Sequence, residues 1–257
     1  MTTREFVGSI AFSVMPLQKA ITVVLDEADR VSEMGKSHGV VVHFCNAYNV
    51  ALARSDHAYR DLIGRGDYVF SDGVPITWVG KRARPDVAHR WERVYGPDVM
   101  LGVFAQSTRT HPRHYLLGSS PAVLTALQER LLERFPDAQI VGSESPPFRK
   151  ATEDELRDRD QRIRASGATI VWVGLGTPKQ DVEVARLAAS LPVVAVAVGA
   201  AFDFLAGTKP QAPGWMQKSG TEWLFRFASE PRRLARRYIW GNSIFLTEAL
   251  RTLRSQR

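Results

Sequence analysis

From about residue 38 to residue 206 the chain repeats one pattern: a short β-branched or apolar run, a glycine or other small residue, then a helical stretch. Short apolar runs alternating with segments of helical period build βαβ units, and such units form a parallel sheet. The spacing predicts strands near 39–44, 68–71, 114–118, 139–142, 169–174 and 193–198. Helices are expected near 50–62, 74–82, 98–107, 121–134, 153–165 and 179–189. The fold class is α/β, a mainly parallel sheet with helices on both faces.

Two regions depart from the repeat. The first 37 residues suit a short strand around Phe6 and a helix from Pro16 to about Glu33. After Ala206 the pattern becomes Gly, Pro and polar residues, and an Arg- and aromatic-rich helical tail begins near Thr221. The expected division is a core over 1–220 and a C-terminal helical basic appendage over 221–257, within reach of one large α/β domain.

Charge is concentrated in that appendage. The chain carries +7, and the stretch from Glu222 to Arg257 has eight Arg, no Lys and three Glu, hence +5. A basic segment of this kind seeks an acidic partner. The nearly neutral remainder argues against a nucleic-acid-binding body. Cys45 is the one cysteine, so no intrachain disulfide or multi-cysteine metal cluster forms within the chain, which favours a reducing compartment. No apolar run reaches the roughly 20 residues that span a bilayer, and the first six residues lack a secretory pattern. A cytoplasmic protein is expected.

Open parallel sheets bind ligands beyond the carboxyl ends of their strands, and three such ends are informative. Ser71-Asp72-Gly73 follows the run Tyr68-Val69-Phe70, so Asp72 belongs at a strand end, able to face a cleft or to cap the helix starting at Val74. From these three residues alone the cap is the plainer reading. The run 169–174 enters Leu175-Gly176-Thr177-Pro178-Lys179-Gln180, a glycine turn and helix start whose amide hydrogens suit a diphosphate. The third glycine of a dinucleotide fingerprint falls at Lys179, leaving a nicotinamide site incomplete. Val198-Gly199-Ala200-Ala201-Phe202-Asp203 repeats the theme: Phe202 suits the core, and Asp203 suits either a helix cap or a nucleoside contact.

Asp158-Arg159-Asp160 has the Asp-x-Asp form with which many sugar transferases hold a divalent metal. It lies in a highly charged helical stretch, where a solvated face explains it better. The six His lack metal-ligand spacing, and no Walker or serine-nucleophile motif occurs.

Taken together, Asn46, Ser71-Asp72-Gly73, Glu92-Arg93-Val94-Tyr95-Gly96-Pro97-Asp98, Gly174 to Gln180, Gly199 to Asp203 with Gly207, Ala212-Pro213 and Glu222 to Arg226 resemble the WecG/TagA/CpsF family of bacterial glycosyltransferases, over about residues 38–240. The resemblance implies a Rossmann-like core and an inverting, metal-independent transferase without a cofactor. It further implies UDP-sugar donors of N-acetylmannosamine, glucose or glucuronate type. The implied acceptors are polyprenyl-diphosphate-linked glycans at the cytoplasmic membrane face, in cell-surface polysaccharide or teichoic acid-type synthesis.

By the same resemblance Asp72 is the general base, Arg93 binds donor phosphate, Gln180 and Asp203 contact the nucleotide, and Asn46 lines the pocket. Gly73, Gly176, Pro178 and Gly199 shape it, and Arg226, Arg233 and Arg236 act in catalysis and membrane docking. The chain departs from the family at Phe44, where Thr is common, and at Gln211, where the family has Arg, so that a positive contact is either missing or supplied by Lys209. In the tail, Leu234, Tyr238, Phe245, Ala249 and Leu253 form an apolar face that suits either core packing or a membrane. The rival functions are a nicotinamide-dependent oxidoreductase, sharing the fold, and a basic nucleic-acid-binding module.

Overall fold

The computed structural model describes residues 3–33 and 38–255, apart from the side chains at 233 and 236–238. An antiparallel hairpin, β1 (Arg4–Val7) and β2 (Ile10–Ser13), comes first. Six further strands follow: β3 (Val40–Cys45), β4 (Tyr68–Ser71), β5 (Arg113–Gly118), β6 (Gln139–Glu144), β7 (Ile170–Gly174) and β8 (Val194–Ala197). They form one parallel, Rossmann-like sheet in the order β4-β3-β8-β7-β5-β6, flanked by helices. The helices are α1 (Leu17–Glu33), α2 (Ala47–Ser55), α3 (His57–Gly64), α4 (Val74–Ala83), α5 (Gly96–Ala105), α6 (Pro121–Arg134), α7 (Glu153–Ser166), α8 (Lys179–Ser190), α9 (Ala201–Leu205), α10 (Gly214–Lys218), α11 (Glu222–Ser229) and α12 (Pro231–Ser255).

Two local features were not anticipated. The single helix expected over 50–62 is split at Asp56, which ends α2 in extended backbone and caps α3 by accepting from Tyr59 N at 3.1 Å. The N-terminal segment contributes two strands rather than one, joined through the tight turn at Gly8 and Ser9.

The chain divides into two compact units. The first comprises residues 1–17, 44–95 and 211–257. Its core gathers Val7, Ile10 and Phe12 of the hairpin, Cys45, Val50, Ile63, Val69, Ile76 and Trp91, with Phe245 and Ala249 of α12. Gly8 N donates to Thr252 Oγ1 at 2.8 Å, and Arg54 meets the buried Glu248 at 3.2 Å. The tail helix is thus part of this unit's packing: Leu234, Phe245 and Ala249, three residues of the expected apolar face, point into it. Outward instead go Ile239, Leu246 and Leu250 of α12, with Leu224 of α11 and Trp215 of α10.

The second unit comprises residues 18–43 and 96–210. Strands buried on both faces read as continuous apolar runs, as in Ile170–Gly174 and Val194–Ala197. Helix starts and stops follow local chemistry. Thr152 and Glu155 close a capping box on α7, and Gly167 ends that helix in the left-handed region at φ 66°. His114 of β5 is buried flat against Phe104 at 3.9 Å between ring centroids. Trp172 Nε1 donates to its Nδ1 at 3.1 Å, so the ring proton sits on Nε2 and points to Ser107 Oγ at 2.9 Å. Burial, with His111 nearby, pushes the His114 pKa down to about 3.

Candidate active site

In the first unit the site is built outward from β4. Its last residue, Ser71, accepts from Val94 N at 2.9 Å through the main chain and donates from Oγ to the Glu92 carbonyl at 2.9 Å. These two bonds lay the segment Glu92-Arg93-Val94 alongside Ser71-Asp72. The segment is anchored one residue earlier by Trp91, whose buried indole lies against Gly80 of α4. Asp72 N donates to the Cys45 carbonyl at 3.0 Å, which fixes the turn. The N-cap position of α4 falls to Gly73 rather than to Asp72.

Arg93 is where several elements meet. Its Nε donates to the Asp72 carbonyl at 2.7 Å, its Nη2 to Glu222 Oε2 at 2.6 Å, and its Nη1 more weakly to the Gln217 carbonyl at 3.5 Å. The guanidinium lies over the ring of Tyr95, 3.9 Å from the centroid. Tyr95 OH accepts from Gln211 Nε2 at 3.2 Å and lies 3.5 Å from Glu222 Oε1. Burial acts to lower the Arg93 pKa, but the nearby carboxylates of Asp72 and Glu222 outweigh it, and the net shift is upward. Burial, reinforced by Glu222 and Asp72, holds the Tyr95 phenol far above its ordinary value. This corner therefore holds a permanent cation, a phenol that keeps its proton and two flanking carboxylates.

Asn46 stands beside the same turn, since a Cβ at position 73 would lie 3.4 Å from Asn46 Cβ. It is also the N-cap of α2: its Oδ1 accepts from Tyr48 N at 3.0 Å, while its own N–H donates to Asn49 Oδ1 at 3.0 Å. Phe44 is buried, its ring 5.6 Å from that of Phe70, so this position is a core contact. Arg226 is partly buried on α11. Arg233 and Arg236 lie on α12, and their side chains are outside those described.

The other expected residues lie in the second unit. Gly176 takes φ 77° in the turn after β7, a conformation that favours glycine. Gln180 is buried and braces that turn, accepting from Gly176 N at 3.0 Å and donating to the Ala197 carbonyl at 3.3 Å. Gly199 follows β8 beside it, since a Cβ there would stand 3.2 Å from Gln180 Oε1. Pro178 occupies the N-cap position of α8. Beneath Gln180, Asp181 meets His43 at 3.0 Å with both side chains fully buried. Asp203 lies on α9, whose N-cap is Ala200, and pairs with Lys209 at 3.6 Å. Phe202 is a core residue, packed on Gly174.

The Asp-x-Asp stretch serves an ion-pair network. Arg186 grips both oxygens of Asp160 at 2.8 Å, and buried Arg159 joins Glu144 at 2.8 Å to Glu183 at 2.9 Å. Among the described residues no group of three or more His, Cys, Asp or Glu converges as a metal site.

Sequence reasoning gave no role to Glu222, Tyr95 or Gln211, which complete the surroundings of Arg93. Tyr95 and Glu222 lie within the motifs that carry the resemblance and Gln211 at a departure from the family, but nothing local pairs them with Arg93, because Glu222 and Arg93 are 129 residues apart. Among the described residues no helix is long and apolar enough to cross a membrane. The model of the glycosyl transferase WecG/TagA/CpsF family matches residues 7–257, essentially the whole chain. The protein therefore belongs to the WecG/TagA/CpsF family of glycosyltransferases, which act in cell-surface polysaccharide synthesis on a sugar-nucleotide donor and a glycan acceptor.

Proposed function

We propose that the protein is an inverting, metal-independent transferase that moves a sugar from a UDP-sugar to a polyprenyl-diphosphate-linked glycan. The donor sugar belongs to the N-acetylmannosamine, glucose or glucuronate class. The reading rests above all on Arg93, whose Nε holds the Asp72 main-chain carbonyl at 2.7 Å while its charge is felt by the nearby Asp72 carboxylate. Family membership lends no support to the nicotinamide or nucleic-acid alternatives.

The acceptor hydroxyl attacks the anomeric carbon and forms the new glycosidic bond while Asp72 takes its proton. The bond from that carbon to the diphosphate breaks on the opposite face, and UDP leaves with the bonding electrons. As negative charge grows on the diphosphate, Arg93 meets it through the remaining N–H groups of Nη1 and Nη2, where another enzyme would use a metal ion. Asn46, whose Oδ1 is engaged by its cap, offers its amide Nδ2 to the sugar. Gly176, Gln180, Gly199 and Asp203 serve the nucleotide, with Gly73 and Pro178 setting the turns.

The tail from residue 221 acts as the docking appendage at the inner face of the membrane, and Arg226, Arg233 and Arg236 complete the reaction site. Its exposed Ile239, Leu246 and Leu250, together with exposed Arg232, Arg251 and Arg254, suit an anionic leaflet. The deciding experiment incubates the protein with a panel of UDP-sugars and a short-chain lipid-diphosphate glycan, following UDP release and product mass. Release of UDP with a glycosylated lipid product supports the reading, and no transfer from any UDP-sugar overturns it.

A further inference from the structure

We propose that Glu222 is a positioning residue of the transfer site, acting through Arg93. The inference rests on the reading above that Arg93 meets the donor diphosphate. An arginine on a flexible stem is useful for bidentate contact only when its plane is held in advance. Here three neighbours fix that plane: the Asp72 carbonyl on Nε, the Tyr95 ring beneath it and the Glu222 carboxylate on Nη2.

Of these three, Glu222 alone comes from the tail, at the first position of α11. Its carboxylate is drawn into the site, with 14% of the side chain exposed against 18% for Arg93. A carboxylate withdrawn from water to this degree is costly to leave without its cation, so the pair seats the start of α11. The second oxygen faces Tyr95 OH at 3.5 Å. Gln211 already donates to that hydroxyl, which directs the phenolic proton toward Glu222. Arg226 follows Glu222 by four residues and so shares its face of α11. Seating Glu222 therefore also sets the register of the tail cation assigned to the reaction.

A carboxylate on an arginine can alternatively stand in for an absent phosphate and compete with it. The two roles predict opposite signs. A positioning residue, when removed, weakens donor binding, whereas a competitor, when removed, strengthens it. The arrangement favours positioning because Glu222 takes one N–H of Nη2 while the Asp72 and Gln217 carbonyls take Nε and one N–H of Nη1, so each Nη keeps a second N–H for an anion.

The test measures UDP dissociation constants by calorimetry and turnover at saturating donor, on the full-length protein, for wild type, E222A, E222Q, R93A and R93A/E222A. Thermal melts confirm that each variant is folded. E222A should weaken UDP binding by about fivefold or more, E222Q should do so to a smaller degree, and the double variant should bind no more weakly than R93A. If E222A does not fold, E222Q decides, since it keeps the shape and removes the charge. If R93A binds UDP as wild type does, the assignment of Arg93 to the diphosphate fails. If R93A weakens UDP but E222A and E222Q do not, or the two losses multiply, positioning is overturned. Tighter UDP binding by E222A or E222Q overturns it as well, in favour of competition.

Discussion

The indole of Trp91 lies so close to Gly80 that a Cβ at position 80 would stand 2.3 Å from its Cε2. Glycine at this helical position is therefore a packing requirement, and it sets the height at which residues 91–95 run past β4. Gly80→Ala should destabilise the protein by about 1–3 kcal/mol through overpacking, read as a lower urea midpoint. Turnover should fall too, because Arg93 rides on the displaced segment. Trp91→Phe in the Gly80→Ala background should recover part of the stability, and additive losses would show that the two positions do not communicate.

Asp72→Asn should preserve the fold and UDP affinity while turnover falls by about 10²–10⁴-fold, the usual contribution of a positioned base. Single-turnover kinetics on the purified variant make the check. Near-normal turnover would remove Asp72 from the role of base.

Activity should survive a strong chelator. Asp160, the acid of the Asp-x-Asp stretch gripped by Arg186, is already committed to an ion pair, and Arg93 offers the diphosphate a cation. Loss of activity with chelator and its return with Mg²⁺ or Mn²⁺ would overturn the metal-independent mechanism.

The depressed pKa of His114 gives a stability signature. Above pH 6.5 the ring is neutral in both the folded and unfolded chains, and its contribution is fully present. As pH falls toward about 3, the unfolded chain takes up a proton that the folded chain refuses, and stability is lost. The slope from this group is at most about 1.4 kcal/mol per pH step. His114→Asn should be less stable at pH 8 yet show a shallower loss between pH 6.5 and 3.5 in urea titrations. An unchanged slope would mean that other groups control acid unfolding.

Truncation at 221 would strip Phe245 and Ala249 from the first unit's core, so membrane docking is better tested on the outer face. Ile239, Leu246 and Leu250 replaced together by Ser should reduce co-sedimentation with anionic liposomes several-fold while leaving the melting temperature nearly unchanged. High salt should release the wild type, because screening shortens the reach of the basic charges. Salt-insensitive binding, unchanged by the triple variant, would mean that this face does not dock.

The parallel sheet was legible from sequence because strand and helix carry their own periods, and the glycine turns after β7 and β8 mark where those periods change. Asp72 could be placed at a strand end by the same local logic. That the N-cap position of α4 falls to Gly73 rather than Asp72 could not be read from Ser71-Asp72-Gly73 alone, since both types suit a helix start. The break at Asp56 was missed because a single residue, serving both as the end of α2 and the cap of α3, interrupts an otherwise continuous helical pattern.

What the sequence by itself determined were features carried by neighbours along the chain: the order of the parallel strands, the glycine turn at Gly176 and the concentration of charge in the tail. Only the tertiary structure decided that Leu234, Phe245 and Ala249 face the core while Ile239, Leu246 and Leu250 face outward. It also decided that Arg93 is held by Glu222, 129 residues away. The physical reason is that periodicity and capping act over a few residues and leave a local record. A choice between two apolar stripes, or the pairing of one cation with one distant carboxylate, depends on which surfaces packing brings together.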